Sequence, residues 1–259
     1  MRSIMSERWV NVMSRMMKAE AFRLRKRLLF LLICCAACSL LPVIGASDVR
    51  GADLKTQIVV SGGFFAIIMM IFPLLFANIS GSLYDEGKLG FYEIMAGNKP
   101  HGIIFSKILT DGILFLTLTV VMSCTYYVIV GIRYGLGGFD HALIRLLLVI
   151  AVMARIVFCS ILITLACRNT GTGMAVCFLR FWIADNTVLP FFTWLSGNVL
   201  EWKRLSLHFS YASLINQLMI PVIEPVDSMI VLHVLLGFLI EFALWYLLVD
   251  LGIRKRKIA

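Results

Sequence analysis

The chain has 259 residues, of which 60% are hydrophobic and only 15% are charged, and its mean hydropathy is +0.92. Soluble domains are about half apolar and about a quarter charged, so the composition excludes an ordinary soluble domain and indicates an integral membrane protein. The formal net charge of +9 does not indicate a nucleic-acid partner, because the basic residues follow a membrane-topology pattern.

The N-terminal segment, 1–27, holds eight Lys or Arg residues and is too polar to cross a membrane. Its apolar residues Met5, Trp9, Val12 and Met16 recur at helical spacing, and basic residues occupy the other side. This pattern predicts an amphipathic helix with a basic face, lying in the cytoplasmic interface of the lipid bilayer. A soluble helix that packs on a partner protein is the alternative.

Six apolar segments follow, and each can cross a hydrocarbon core of about 30 Å at 1.5 Å per residue. They are 28–46, 58–80, 108–130, 143–167, 172–195 and 229–253. The residue alternation of a membrane β-barrel is absent, so helices are expected. The first segment exceeds a signal-peptide core of about 7–15 residues, so it is expected to be a retained span. The segment 172–195 is interrupted by Arg180, Asp185, Asn186 and Pro190.

The distribution of Lys and Arg predicts the orientation. In a six-span arrangement with a cytoplasmic N-terminus, 16 basic residues lie inside and 5 lie in the outer loops 47–57, 131–142 and 196–228. Short cytoplasmic loops carry the excess of positive charge. The sequence therefore predicts a multi-pass protein of the cell membrane, with both termini and the basic tail 254–259 in the cytoplasm.

The long connection 196–228 has apolar patches but no clean span. Because a loop of this length without structure is unusual, short interfacial or re-entrant helices are expected at the outer face. Pro221 and Pro225 are expected to break any continuous helix there.

Charged residues inside the spans are costly to place in lipid. Counted from the inner ends, Arg155 and Glu241 lie about 18 Å deep, Arg180 about 12 Å and Asp185 about 20 Å. Their equal depth predicts that Arg155 and Glu241 pair between the spans 143–167 and 229–253. Two roles remain open for the four residues: internal ion pairs that hold the bundle together, or the lining of a translocation cavity.

The sequence offers no recognisable catalytic chemistry. "GSLYDEGKL" at 81–89 departs from a phosphate-binding loop, because its glycines are one residue too far apart and Leu89 replaces the metal-binding hydroxyl. The histidines and cysteines lack metal-ligand spacing, and no protease or hydrolase motif occurs. We therefore expect no enzyme activity, metal or cofactor in this chain.

Three segments resemble permeases of the ABC-2 family. "YDEGKLGFYEIMAGNKPHGIIFSKIL" at 84–109 is similar to the cytoplasmic segment between the family's second and third spans, with an acidic start, a short helix over 87–96, Pro100 and Ser106-Lys107. His101 replaces the usual Arg after the proline. "KAEAFRLRKRLLFLL" at 18–32 and "LGIRKRKI" at 251–258 are similar to the family's basic flanks of the first and last spans.

The resemblance implies that the segment 81–107 forms a coupling helix that docks on a separate ATPase subunit. Apolar side chains would supply the anchors and acidic ones would fix the register. The coupling residues so implied are Asp85, Glu86, Leu89, Phe91, Tyr92, Glu93, Ile94 and Met95. An ordinary membrane-surface loop is the alternative for this segment.

The function implied is that of a permease subunit in an ATP-binding-cassette transporter, with size and basic flank most similar to antimicrobial-peptide export and immunity systems. ATP and Mg would bind the partner ATPase, and a second permease subunit would complete the membrane half, with lipid around it and no nucleic acid. A secondary transporter or channel driven by an ion gradient is the alternative. The cargo, the direction of transport and the choice between homodimer and heterodimer remain open.

Overall fold

The computed structural model describes residues 54–85, 100–134, 142–167, 169–223 and 227–254, together with scattered positions between 18 and 44. The described residues form helices and contain no β-strand. This agrees with the predicted all-α membrane fold.

The helices are long in four of the predicted spans, and they are short in the connection 196–228 and in the predicted span 172–195, where α-helical and π-helical segments alternate. The α-helices are α1 (Leu54–Asp85), α2 (Pro100–Tyr134), α3 (Ala142–Cys167), α4 (Thr170–Phe178), α5 (Leu189–Trp194), α6 (Lys203–Ala212), α7 (Leu214–Ile223) and α8 (Ser228–Arg254). In the part of the chain that the structure describes, π-helical segments lie before and after α5, at Leu179–Val188 and Leu195–Val199.

Within the described residues, five helical stretches are long and apolar enough to cross a membrane. They are Val60–Ser80, Ile108–Arg133, Leu143–Cys167, Thr170–Val199 and Ser228–Leu251. They correspond to the last five predicted spans and are compatible with a multi-pass membrane protein.

Other predicted elements fall largely on residues that the structure does not describe. The predicted first span, 28–46, is one of them; its described positions are helical, and Leu31 and Cys35 among them are buried. The amphipathic helix 1–27 and the tail 254–259 also lie largely outside the described residues.

Helix α3 is the centre of the bundle and packs against α1, α2, α4, α7 and α8. Its span is the most apolar of the five, with a mean hydropathy of 2.8, and 67% of it is buried within the chain, against 11% for the span in α8. The central position of α3 follows from this composition, whereas α8 leaves most of its apolar surface for lipid or a second subunit.

Small residues let the neighbours of α3 approach closely. A Cβ atom added at Gly112 of α2 would lie 2.5 Å from Phe158 Cε1, and one at Gly173 of α4 would lie 3.3 Å from Thr164 Cα. Close backbone approach at glycine is typical of helix packing in membranes. The turn into α4 is closed by Asn169, whose side-chain oxygen accepts a hydrogen bond from the Thr172 backbone N–H.

Two pairs of polar side chains link α1 to α2. The hydroxyls of Ser61 and Tyr126 lie 3.0 Å apart, and the Tyr126 ring stacks on Phe65. Near the predicted cytoplasmic end, Ser80 Oγ donates to Asp111 Oδ2 at 3.0 Å. Such bonds satisfy polar groups that lipid cannot.

The outer connection contains short helices, as predicted, but the expectation for Pro221 is wrong. Helix α7 contains Pro221 and continues to Ile223. The break instead falls at Ser213, whose extended backbone (ψ 128°) separates α6 from α7. Pro225 lies outside the described residues.

The two short helices differ in burial. No residue of α6 is buried, whereas Leu214, Gln217 and Leu218 of α7 are fully buried against the bundle. A helix that lies along an interface keeps one face exposed, so the exposed α6 is compatible with the predicted interfacial helix and the buried α7 with the predicted re-entrant helix.

Candidate functional site

The predicted span 172–195 is a helix of mixed geometry. The structure continues it from Thr170 to Val199, but residues Leu179–Val188 adopt π-helical turns. This stretch contains Arg180 and Asp185, the charged residues that interrupt the apolar run. π-helical turns inside longer helices are frequent at functional sites, so the geometry directs attention to Arg180 and Asp185.

The π-helical turn explains how Arg180 and Asp185 meet. Residues five apart in an α-helix lie about 140° apart around its axis, and their side chains diverge. A π-helix bonds residue i to i+5 and brings these positions onto one side. Arg180 Nη1 donates to Asp185 Oδ2 at 2.6 Å, so the backbone irregularity builds an ion pair within one helix.

Glu241 of α8 joins two arginines from different helices. Its Oε2 accepts from Arg155 Nε of α3 at 2.6 Å, and its Oε1 accepts from Arg180 Nε. The pairing of Arg155 with Glu241 predicted from their equal depth is therefore present. Each carboxylate oxygen has its own guanidinium, so a single side chain connects the predicted fourth, fifth and sixth spans.

The re-entrant helix α7 completes the arrangement with two polar groups. Gln217 Oε1 accepts from Arg155 Nη1 at 3.1 Å, while Gln217 Nε2 donates to the Tyr211 carbonyl at 2.8 Å. The Leu214 backbone N–H donates to Asp185 Oδ1 at 2.9 Å. We call Arg155, Arg180, Asp185, Glu241 and Gln217 the buried charge network.

The buried charge network is enclosed and formally neutral. Asp185 is fully buried, and Arg155 and Glu241 are 5% and 8% exposed. Two arginines face two carboxylates, and Gln217 adds a neutral hydrogen bond. Charges taken from water are tolerated when each is paired and further hydrogen-bonded. This arrangement can hold spans and α7 in one register, and it supports the structural role that the sequence left open.

Gly237 provides the space for Arg155. A Cβ atom at Gly237, one turn before Glu241 on α8, would lie 2.7 Å from Arg155 Nη1 and 3.0 Å from its Cζ. Arg155 cannot simply swing away, because Glu241 and Gln217 both hold its guanidinium. The glycine is therefore part of the site although it carries no functional group.

We predict that Gly237→Ala lowers the free energy of unfolding by about 2 kcal/mol, because the methyl group displaces a guanidinium with two fixed partners. Unfolding in mixed micelles measures the change. Gly63→Ala is the matched control, since the nearest atom to its added Cβ would be Met219 Cε at an ordinary 3.6 Å. Equal stability of the two variants would contradict the packing argument.

The predicted coupling residues do not form part of the described site. Helix α1 ends at Asp85, and Glu86, Leu89, Phe91, Tyr92, Glu93, Ile94 and Met95 lie in the stretch 86–99, outside the described residues. Their role stays a prediction from the sequence.

Sequence reasoning missed Gln217 and Gly237. A glutamine in a connection and a glycine in an apolar span carry no local signal of their own. Within the described residues, no group of three or more His, Cys, Asp or Glu side chains could hold a metal ion. Comparison of the chain with protein-family models, curated proteins and solved structures finds no match.

Proposed function

We propose that this chain is the membrane permease subunit of an ATP-binding-cassette transporter. It moves a substrate, such as an antimicrobial peptide or a lipid-like molecule, with energy from ATP hydrolysed by a separate subunit. The observation that carries the proposal is the ABC-2-like pattern of 84–109, set between two long apolar helices.

The geometry of the flanking helices supports this reading of the segment. Helix α1 ends at Asp85 and α2 begins at Pro100. Relative to the predicted spans 58–80 and 108–130, the helices extend about 8 Å and about 12 Å further. The flanking helix ends at Asp85 and Pro100 would then lie beyond the hydrocarbon core, within reach of a water-soluble ATPase.

In the proposed assembly, two six-span permease subunits each bind one ATPase at the cytoplasmic face. ATP binding brings the ATPases together and moves the coupling segments, and α1 and α2 carry the movement into the membrane. The chain itself holds no nucleotide. The buried charge network would keep the fourth, fifth and sixth spans together with α7 as one moving unit, since its bonds join all four elements.

The alternative is transport driven by an ion gradient. It is favoured by the presence of two buried carboxylates, Asp185 and Glu241, in the middle of predicted spans. Both carboxylates, however, accept hydrogen bonds from arginine. A proton carrier has to exchange its proton with water, whereas these two carboxylates are held in ion pairs inside the bundle, with Asp185 fully buried and Glu241 8% exposed.

The two functions are separated by purification and reconstitution. We expect an ABC ATPase to co-purify with the chain from native membranes, and we expect transport in vesicles to require ATP and to survive ionophores. Transport without ATP that stops when ionophores collapse the ion gradient would refute the proposal and establish the alternative.

The topology is a separate prediction of the same reading. Tags placed after residue 90 and at the C-terminus should report the cytoplasm, and a tag near Trp202 should report the outside, because of the basic-residue asymmetry of 16 to 5. Accessibility of the tags to an impermeant reagent in intact cells measures this. An externally accessible tag after residue 90 would exclude docking of a cytoplasmic ATPase there.

A further inference from the structure

A cavity of about 380 Å³ lies where the end of the fifth span meets α6 and α7. Its wall includes Pro190, Trp194 and Asn198, which recur every four residues along one side of the span, and it is closed by Ser213 and Asn216 from the start of α7. The volume falls within the range of about 300–1,000 Å³ that small-molecule sites occupy. The cavity is separate from the buried charge network.

The cavity is built from a close contact between the span and α6. Gly197 faces Ser206, and a Cβ atom there would lie 2.9 Å from Ser206 Oγ. Ser206 Oγ in turn donates to the Thr193 carbonyl at 2.8 Å. The contact fixes α6 against the span and leaves the space beside it open.

The wall keeps hydrogen-bonding capacity that the described part of the chain does not use. Ser213 is 2% exposed, and its buried Oγ has no hydrogen-bond partner among the described residues. Asn216 Nδ2 donates to the carbonyl and the hydroxyl of Ser210, which leaves its oxygen as an acceptor. Asn198 is an exposed residue of the wall, so a bound molecule can reach its amide. A buried hydroxyl without a partner is costly, so a bound molecule is expected to supply one.

The chemistry of the wall limits that molecule. No charged side chain from the described residues lines the cavity, so a phosphate, a carboxylate or an ammonium group would lose its hydration without a partner. Serine hydroxyls and asparagine amides both donate and accept hydrogen bonds, as sugar hydroxyls do. Pro190 and Trp194 add flat apolar surface, which suits the C–H face of a sugar ring.

We propose that this cavity binds a neutral sugar ring, with Ser213, Asn198 and Asn216 bonding its hydroxyls and Trp194 contacting its face. The ring belongs either to a free glycan or to the headgroup of a glycolipid. If the connection 196–228 lies at the outer interface as its sequence predicts, the site lies at headgroup depth, where both sources can reach it. The site does not depend on the proposed transport function.

The test compares both sources with protein in nanodiscs. Saturation-transfer NMR with methyl glycosides of glucose, galactose and N-acetylglucosamine measures the free sugar. Native mass spectrometry of nanodiscs containing diglucosyl-diacylglycerol or phosphatidylglycerol measures the lipid. We expect saturable binding of a glycoside, of the glycolipid or of both, and none of phosphatidylglycerol in this site. Binding of the free glycoside identifies a soluble glycan as sufficient, whereas binding of the glycolipid alone identifies the headgroup.

The variant Asn198→Ala/Ser213→Ala should weaken binding about tenfold or more, through loss of two hydrogen-bonding groups. Asn186→Ala/Thr187→Ala is the matched control: it removes the same group types from exposed positions of the same span and should bind normally. Thermal unfolding confirms that both variants are folded. Absence of saturable binding in both arms, or equal binding by the two variants, would overturn the proposal.

Discussion

Replacing Glu241 with alanine is expected to lower the free energy of unfolding by about 3–5 kcal/mol, the largest effect of any single substitution in the described spans. Glu241 is the carboxylate that Arg155 and Arg180 share. Its loss leaves the buried Arg155 and the partly buried Arg180 facing one remaining carboxylate, Asp185. An uncompensated charge in a low-dielectric interior is the costly outcome.

The loss should be measured by exposure of buried thiols. Cys159 and Cys177 are fully buried in the bundle, so in a background whose other five cysteines are replaced by alanine a fluorescent maleimide reacts only after the helices separate. Labelling rates in mixed micelles then give the free energy of opening. Ile240→Ala is the matched control. Ile240 precedes Glu241 on α8, and its side chain is 66% exposed and contributes little to the interior of the chain.

A double-mutant cycle separates charge pairing from loss of volume. Arg155→Met alone leaves Glu241 with Arg180 but unbalances the network by one negative charge. Arg155→Met with Glu241→Leu leaves the pair of Arg180 and Asp185, which is neutral by itself. The loss in the free energy of unfolding of the double variant should therefore be smaller, by about 2 kcal/mol or more, than the sum of the losses of the two single variants. Additive losses would show that the two residues act as packing alone.

Part of this site could be predicted from the sequence. Burial of charge in an apolar run is conspicuous, and counting residues at 1.5 Å each placed Arg155 and Glu241 at one depth. The same count set Arg180 about 8 Å from Asp185 in depth and gave no reason to join them. Their contact depends on π-helical turns over Leu179–Val188, which a regular helical period does not predict.

The connection 196–228 shows the same limit. Its apolar patches and length predicted short helices, and α6 and α7 are present. The sequence could not place the break at Ser213 or predict that Gln217 reaches Arg155. Both features depend on tertiary contacts with the spans. Such contacts can override a local preference, as at Pro221, which lies within α7 although proline disfavours a helix.

Replacing both Phe91 and Met95 with alanine is expected to abolish transport while leaving membrane insertion intact. If 85–96 is helical, Phe91, Ile94 and Met95 lie three and four residues apart and share one arc. Apolar anchors of this kind each contribute about 2 kcal/mol or more to docking in a groove. Loss of two should weaken ATPase binding by a factor on the order of a hundred or more.

The double variant is to be expressed with its ATPase partner and compared in three measurements: recovery of the ATPase by pull-down, ATP turnover, and cargo export or resistance. Phe64→Ala/Ile67→Ala is the matched control, since those side chains are 44% and 43% exposed on α1, where lipid is the expected neighbour. It removes similar apolar area and should keep coupling. Insertion survives in Phe91→Ala/Met95→Ala because the spans are untouched, and in the control because the span keeps its length and alanine is still apolar. Normal ATPase recovery and normal transport by Phe91→Ala/Met95→Ala would refute the coupling role of 85–96.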